Sequence, residues 1–312
     1  MYNIILNPAA GRGLGKSLYL PNLVEIFDKA NLQYEILITT KQKDAYEFAK
    51  NICVHQPDSE GIIGIGGDGT MQEIVAGMVD ANAHGKKIPV PLALFPGGTG
   101  NDFAMTIEGG KAAMRKKYEK DPKAGAKIFA EKLRRRNLRT IDLITANDEA
   151  YLVAGNIGID ARIVHNATAL KSRYGGQAYL AAAYKSIMQH KNIPLEISLN
   201  NETIKKDVTL IAICNNSTYG GGLHIAPPAK YDDGKITLCI VNGMSRLKLG
   251  VLFPSLLIKK HVHLKDISFV ECTELRLTLP PGTETLCLDG NLFPVEGEIY
   301  FKILPSVLDV FI

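Results

Sequence analysis

Ile62-Ile63-Gly64-Ile65-Gly66-Gly67-Asp68-Gly69-Thr70 is an apolar strand that runs straight into a glycine-rich turn with one carboxylate. Glycines carry no Cβ, so backbone N–H groups there can come close to a phosphate. The residues that follow, Met71 to Val79, have helical spacing, and the positive end of that helix would face the same turn. A second turn of the same kind, Pro96-Gly97-Gly98-Thr99-Gly100-Asn101-Asp102-Phe103-Ala104, follows the apolar stretch Val90 to Phe95. Two such turns at successive strand ends, each with an Asp, point to a nucleotide phosphate and a divalent metal. Asp68 and Asp102 would organise the metal; capping the following helix is the plainer role open to each.

Around these turns, strands and helices alternate. Strands are expected at Asn3 to Leu6, Tyr34 to Thr39, Gly61 to Ile65 and Val90 to Phe95. Helices are expected near Leu18 to Ala30, Lys43 to Cys53, Met71 to Val79 and Ala124 to Arg135. This is the pattern of βαβ units and a mostly parallel sheet, which binds ligands at its strand C-termini. Beyond about Thr140 the pattern turns to short alternating strands such as Glu274-Leu275-Arg276-Leu277-Thr278-Leu279, interrupted by one Ala-rich helix, Gly176 to His190. The expected fold is an α/β nucleotide-binding domain over residues 1–140, with an antiparallel β-sandwich over 141–303. Residues 304–312 are expected to return to the first domain. No long Pro/Ser linker separates the two, so they should share a cleft.

Hydrophobic content of 46% and charged content of 22% are those of an ordinary globular chain. No run of about 18 apolar residues exists, so no transmembrane helix is expected. Met1-Tyr2-Asn3 leads directly into Ile4-Ile5-Leu6, so no signal peptide is expected either. Five Cys residues form no CxxC pair, which favours buried, reduced thiols and a cytoplasmic setting over disulfides or zinc. The seven His show no ligand spacing, and His261 and His263 are expected to face solvent. Net charge is only +4, yet Lys111 to Arg139 holds twelve Lys/Arg against three Asp/Glu. Such a patch suits an anionic membrane or simply a solvated helix. Only Tyr118 and Phe129 lie within it, too few aromatics for stacking on nucleic acid, so no nucleic-acid partner is expected.

The loop Asn7-Pro8-Ala9-Ala10-Gly11-Arg12-Gly13-Leu14-Gly15-Lys16 lacks the spacing of a Walker A motif, but glycines with Arg12 and Lys16 suit phosphates. A plain turn is the rival for Lys16. Leu247 to Lys260 is apolar with basic flanks, either a membrane-surface contact or a helix packed on the sandwich.

Taken together, the two glycine turns resemble the signatures of the diacylglycerol kinase catalytic domain, and in particular its bacterial soluble lipid kinase branch. Asn156-Ile157-Gly158-Ile159-Asp160-Ala161, the Lys171, Gly175, Ala178, Tyr179 spacing, Asn215-Asn216-Ser217 with Tyr219-Gly220-Gly221-Gly222, Ala226 to Gly234, and Leu288-Asp289-Gly290 extend the likeness along nearly the whole chain. The resemblance implies an ATP- and Mg²⁺-dependent kinase that phosphorylates a lipid alcohol at the membrane surface; with the basic patch, peripheral contact with an anionic membrane is expected, and a homodimer is compatible with it. Diacylglycerol or a related lipid would be the substrate.

By the same resemblance, Asn7, Pro8, Gly11, Arg12, Lys16, Thr39, Thr40, Gly66, Gly67, Gly69, Thr70, Gly97, Gly98, Thr99, Asn101 and Lys171 would hold ATP. Asp142 would join the metal network of Asp68 and Asp102, and Asp232 with Asp233 would form a second Mg²⁺ site. Asp289 would be the general base, although Asp289-Gly290 also reads as a type I′ hairpin turn. The family's last motif is Asp-Gly-Glu, whereas this chain has Asp289-Gly290-Asn291. Asn291 cannot carry charge. A weakly active or non-catalytic lipid- or nucleotide-binding regulator is therefore the second reading, and Asn291→Glu is expected to raise turnover.

Overall fold

The computed structural model describes residues 1–82, 86–174, 178–200, 202–257 and 261–312, with the side chains at 12, 168–174, 178–180 and 252–257 outside the description. The first half builds β1 (Tyr2–Leu6), α1 (Leu20–Lys29), β2 (Tyr34–Ile38), α2 (Asp44–His55), β3 (Gly61–Gly66), α3 (Asp68–Ala81) and β4 (Leu92–Pro96), then α4 (Asp102–Ile107), α5 (Lys111–Tyr118) and α6 (Pro122–Arg135). The four strands are parallel in the order β2-β1-β3-β4. Both faces of this sheet are covered, which explains its continuous apolar runs. Ile4, Leu6, Ile63 and Ile65 pack with Phe27, Phe95 and Phe129 on one face. Ile5 and Ile62, one residue out of phase, pack with Ile74, Val75 and Met78 on the other.

The second half builds β5 (Leu138–Ala146), β6 (Glu149–Tyr151), β7 (Ala154–Gly158), α7 (Ile159–Tyr174), α8 (Ala178–Met188), β8 (Ile193–Leu199), β9 (Glu202–Cys214), β10 (Ile236–Asn242) and α9 (Arg246–Leu257), then β11 (Ile267–Cys272), β12 (Glu274–Thr278), β13 (Glu284–Leu288), β14 (Asn291–Val295) and β15 (Glu298–Phe311). These strands pair antiparallel around a core that includes Ile144, Ile157, Ile211, Leu238, Leu277 and Phe301. β15 joins the halves. It runs antiparallel to β12 and to β5, and its end pairs parallel to β4 at Val310 and Leu92. The glycine turns and the β13–β14 hairpin thus face one another across a cleft between packed layers.

Three features depart from the sequence reading. Ala150 to Asn156 reads in sequence as one apolar strand; it is two, β6 and β7, broken at Leu152 and Val153. Helix α7 lies where no helix was expected. His261 is fully buried, its Nε2 3.3 Å from the Ile225 carbonyl, where solvent exposure was expected. All five cysteines are free and buried. No helix among the described residues is long and apolar enough to cross a membrane.

Candidate active site

Three glycine loops meet at the C-terminal ends of β1, β3 and β4. Gly97 N–H donates to the Gly66 carbonyl at 3.0 Å. A Cβ on Gly98 would lie 2.2 Å from Gly67 Cα, and one on Gly11 would lie 2.4 Å from the Gly97 carbonyl oxygen. Only glycine allows backbone to meet backbone this closely, and Gly11 also takes a φ of +57°. Asn101 fixes the second turn: its Oδ1 accepts from Gly98 N–H at 2.8 Å and its own φ is +59°.

These loops wall a cavity of about 510 Å³. Asn7, Pro8 and Gly11 line it from the first loop, and Thr39 and Thr40 from the end of β2. Gly67, Gly69 and Thr70 line it at the start of α3, and Gly98 and Thr99 from the second turn. The N-terminus of α3 thus borders the space, and a helix N-terminus is where backbone N–H groups bind phosphate. Gly66, Gly97 and Asn101 build the turns from behind. Lys16 is exposed and lies outside the cavity lining. The side chains of Arg12 and Lys171 lie outside the described residues.

A second cavity, of about 420 Å³, adjoins the first at Thr99, which lines both. Asp68, Asp102 and Asp289 line it, with Lys111 at one side. Asp289 and Gly290 have φ of +46° and +93°, so Asp289-Gly290 is the two-residue turn of the β13–β14 hairpin. The turn aims the carboxylate inward. Oδ2 accepts from Leu152 N–H at 2.7 Å, and Oδ1 accepts from Val153 and Ala154 N–H at 3.0 and 2.9 Å. The break between β6 and β7 supplies these donors. Burial nevertheless outweighs the three bonds and pushes Asp289 up to about 7. Hairpin turn and candidate base are one residue.

Asp68 is pushed up to about 8, first by burial and then by the charges of Asp102 and Asp289. Its Oδ1 accepts from Asp102 N–H at 2.7 Å. Asp102 is also raised by burial, though backbone N–H groups of Gly220 to Gly222 counter it. Gly221 and Gly222 donate to it at 2.8 to 3.0 Å, and this ties the second domain to the first. No three His, Cys, Asp or Glu among the described residues converge as a metal cage. Mg²⁺ in phosphoryl transfer needs only one or two carboxylates, with waters and phosphates completing its shell. Asp68 and Asp102 fit that demand, and a cation would relieve their mutual repulsion.

Asp142 is not brought to this group. Its Oδ2 accepts from Gly234 N–H and its Oδ1 from Ser306 N–H, both at 2.7 Å. It clamps the loop that carries Asp232 and Asp233 onto β15. Asp233 in turn accepts from Lys235 N–H at 3.1 Å. Neither Asp232 nor Asp233 lines either cavity. Backbone N–H groups thus take both oxygens of Asp142 and one of Asp233.

Asn291 spans the two domains. Its Nδ2 donates to the Gly69 carbonyl at 2.9 Å and to Gln72 Oε1 at 2.8 Å. Buried Gln72 passes the chain on, donating to the Ala150 carbonyl at 3.0 Å. Gln72 was not legible as a site residue, because a polar residue on α3 carries no signal of its own. Lys111, Asn156, Asp160 and Tyr219 also line the second cavity without having been assigned there. The last three belong to segments that carried the resemblance, which was the available signal.

Residues 1–146 match the family of the diacylglycerol kinase catalytic domain, and residues 154–312 match that of the YegS C-terminal NAD kinase beta sandwich-like domain. A diacylglycerol kinase of Mycobacterium tuberculosis is 27% identical over 258 residues, which cover 81% of this chain and 76% of the relative. A probable lipid kinase, YegS-like, of Shewanella frigidimarina is 27% identical over 244 residues, 78% of this chain and 73% of the relative. A solved structure described as a putative diacylglycerol kinase from Bacillus anthracis superposes with a TM-score of 0.74 at 21% identity, over 99% of this chain and 96% of that chain; it shares the fold.

Proposed function

Because the chain belongs, by its two halves, to the families of the diacylglycerol kinase catalytic domain and the YegS C-terminal NAD kinase beta sandwich-like domain, we propose that it transfers the γ-phosphoryl group of ATP to a lipid hydroxyl. At family level the relatives are named as lipid kinases, hence phosphotransferases. The finer reading rests on one observation: the glycine-walled cavity and the carboxylate-lined cavity meet at Thr99. A nucleotide in the first would present its terminal phosphate to an alcohol in the second.

The roles follow from the contacts. The α3 N-terminus and the glycine turns bind phosphate through backbone N–H groups. Asp289, held by three backbone donors, accepts the proton of the lipid hydroxyl as the hydroxyl oxygen attacks phosphorus. Asp68 and Asp102 would hold Mg²⁺, which neutralises phosphate charge when bound. Asn291 keeps the hairpin that carries Asp289 against α3, so both halves of the site stay in register.

The partner of the lipid cleft would be an anionic membrane surface on the cytoplasmic side. Lys116 on α5, Lys120 between α5 and α6, and Lys127 on α6 are exposed and form no ion pair among the described residues. Elsewhere in the patch Glu108 takes Lys117 and Lys132, and Glu25 takes Lys123. Leu247 and Val251 of α9 are 86% and 80% exposed, which favours a membrane contact over burial on the sandwich. The test is a panel of lipid alcohols in mixed micelles with radiolabelled ATP. Label in a phosphorylated lipid is the expected result; ATP binding without transfer to any lipid would favour a regulator.

A further inference from the structure

Lys111 stands at the edge of the second cavity as the first residue of α5. A cation there opposes the helix dipole, and no acidic residue in that first turn offsets it. Helix stability therefore does not account for a lysine at this position. The side chain is exposed, but its Nζ reaches across to the second half of the chain and donates to the Gly221 carbonyl at 3.2 Å.

That carbonyl belongs to the same peptide unit as the Gly222 N–H, which donates to Asp102 Oδ1 at 2.8 Å. A trans peptide is planar and points its C=O and N–H in opposite directions. Lys111 and Asp102 thus grip one peptide from its two ends. The same carboxylate accepts from Gly221 N–H on Oδ1 and Oδ2, at 3.0 and 2.9 Å. The φ angles are +85° at Gly221 and +97° at Gly222. A Cβ on Gly221 would meet nothing within 4 Å, and one on Gly222 only the Met105 side chain, at 3.7 Å or beyond. Backbone conformation, not crowding, calls for glycine here. A peptide between two glycines can turn over, and its carbonyl would then face the carboxylate.

We infer that Lys111 is a positioning residue, which holds the Gly221–Gly222 peptide with its N–H toward Asp102 and so fixes the rotation of the Asp102 carboxylate. A cation on the carbonyl also polarises the peptide and strengthens its N–H as a donor. The inference rests on the kinase reading, in which Asp102 would hold Mg²⁺, and a carboxylate of fixed rotation is a preorganised ligand. Lys111 acts on a cation in two ways of opposite sign. Its charge repels the cation, so removing the charge alone would tighten Mg²⁺ binding. Its grip preorganises Asp102, so losing the grip would weaken that binding.

The test compares Lys111→Met with Lys111→Arg, which keeps both charge and donor. Both lie at an exposed position, which the fold tolerates. Amide exchange of Gly222 is followed by NMR on protein labelled at glycine nitrogen, and Mg²⁺ affinity by the rise of Tm with Mg²⁺ concentration, without nucleotide or lipid. Lys111→Met is expected to speed Gly222 exchange about tenfold and to weaken Mg²⁺ binding about tenfold, while Lys111→Arg stays within about twofold of wild type on both. Unchanged Gly222 exchange in Lys111→Met, Mg²⁺ binding there as tight as wild type or tighter, or no rescue by Arg would each overturn the inference and leave the kinase standing. A wild-type Tm that ignores Mg²⁺ would bring down the metal role of Asp102 and the inference with it.

Discussion

Asn291 shows how one contact reverses an expectation. The family pattern led to the expectation that Glu at 291 would raise turnover. In the structure Asn291 donates to two acceptors, the Gly69 carbonyl and Gln72 Oε1. A carboxylate there would face both without a donor. Asn291→Glu is now expected to lower kcat/KM for lipid about tenfold, which is about 1.4 kcal/mol of barrier. A rate above wild type would show that the latch is not what Asn291 supplies.

The carboxylates give two pH predictions. A base raised to about 7 must lose its proton before it can accept another, so kcat/KM for lipid should fall about tenfold per pH unit below 7 and level off above it. An ordinary Asp, near 3.9, would leave the profile flat over that range. Asp68 is raised in the folded state to about 8, so its stabilising contribution is complete below about pH 4 and is lost as pH rises through 8. In chelator, the wild-type Tm should drop between pH 5 and 8. Asp68→Asn should reduce that slope, leaving the part that Asp289 supplies, and abolish both turnover and the Tm gain from added Mg²⁺. Thermal melts with and without Mg²⁺ decide it: parallel slopes for the two proteins would show that Asp68 is not the titrating group, and an equal Tm gain from Mg²⁺ would remove Asp68 from the metal site.

Among the elements, the glycine turns were legible because close backbone approach leaves a glycine pattern in sequence. Gly98→Ala should cost about 1–3 kcal/mol, since the new Cβ meets backbone at 2.2 Å and backbone cannot yield as a side chain can. Gly250→Ala, in α9 with nothing near its Cβ, should instead gain roughly 0.5–1 kcal/mol from helix propensity. Denaturant midpoints of the two variants should move in opposite directions. Other elements were hidden. Helix α7 begins inside Asn156 to Ala161, where apolar residues alternate in a way that strand and helix share. The break at Leu152 and Val153 leaves no Gly or Pro, because a carboxylate 137 and 136 residues away satisfies its N–H groups. The backbone partners of Asp142, Gly234 and Ser306, were hidden for the same reason: they are remote in sequence.

Across the whole molecule, the two-part architecture was readable from the change in strand pattern near Thr140. The return of β15 to β4 was legible only as an expectation for the last nine residues. What sequence could not supply was how the two cavities meet, which depends on packing between domains. The exposed basic face makes a further prediction: sedimentation with anionic vesicles at low salt should weaken at physiological ionic strength, where screening acts over about 8 Å. Salt-insensitive binding, equal on neutral vesicles, would contradict it. The central claim is that Asp289 activates a lipid hydroxyl toward a nucleotide held by the glycine turns. Transfer of the labelled γ-phosphoryl group to lipid, measured at saturating ATP for wild type and Asp289→Asn, tests it most directly. The account predicts steady transfer by the wild type and a loss of at least 100-fold in the variant, with ATP affinity within about threefold. Equal transfer by both proteins would contradict it.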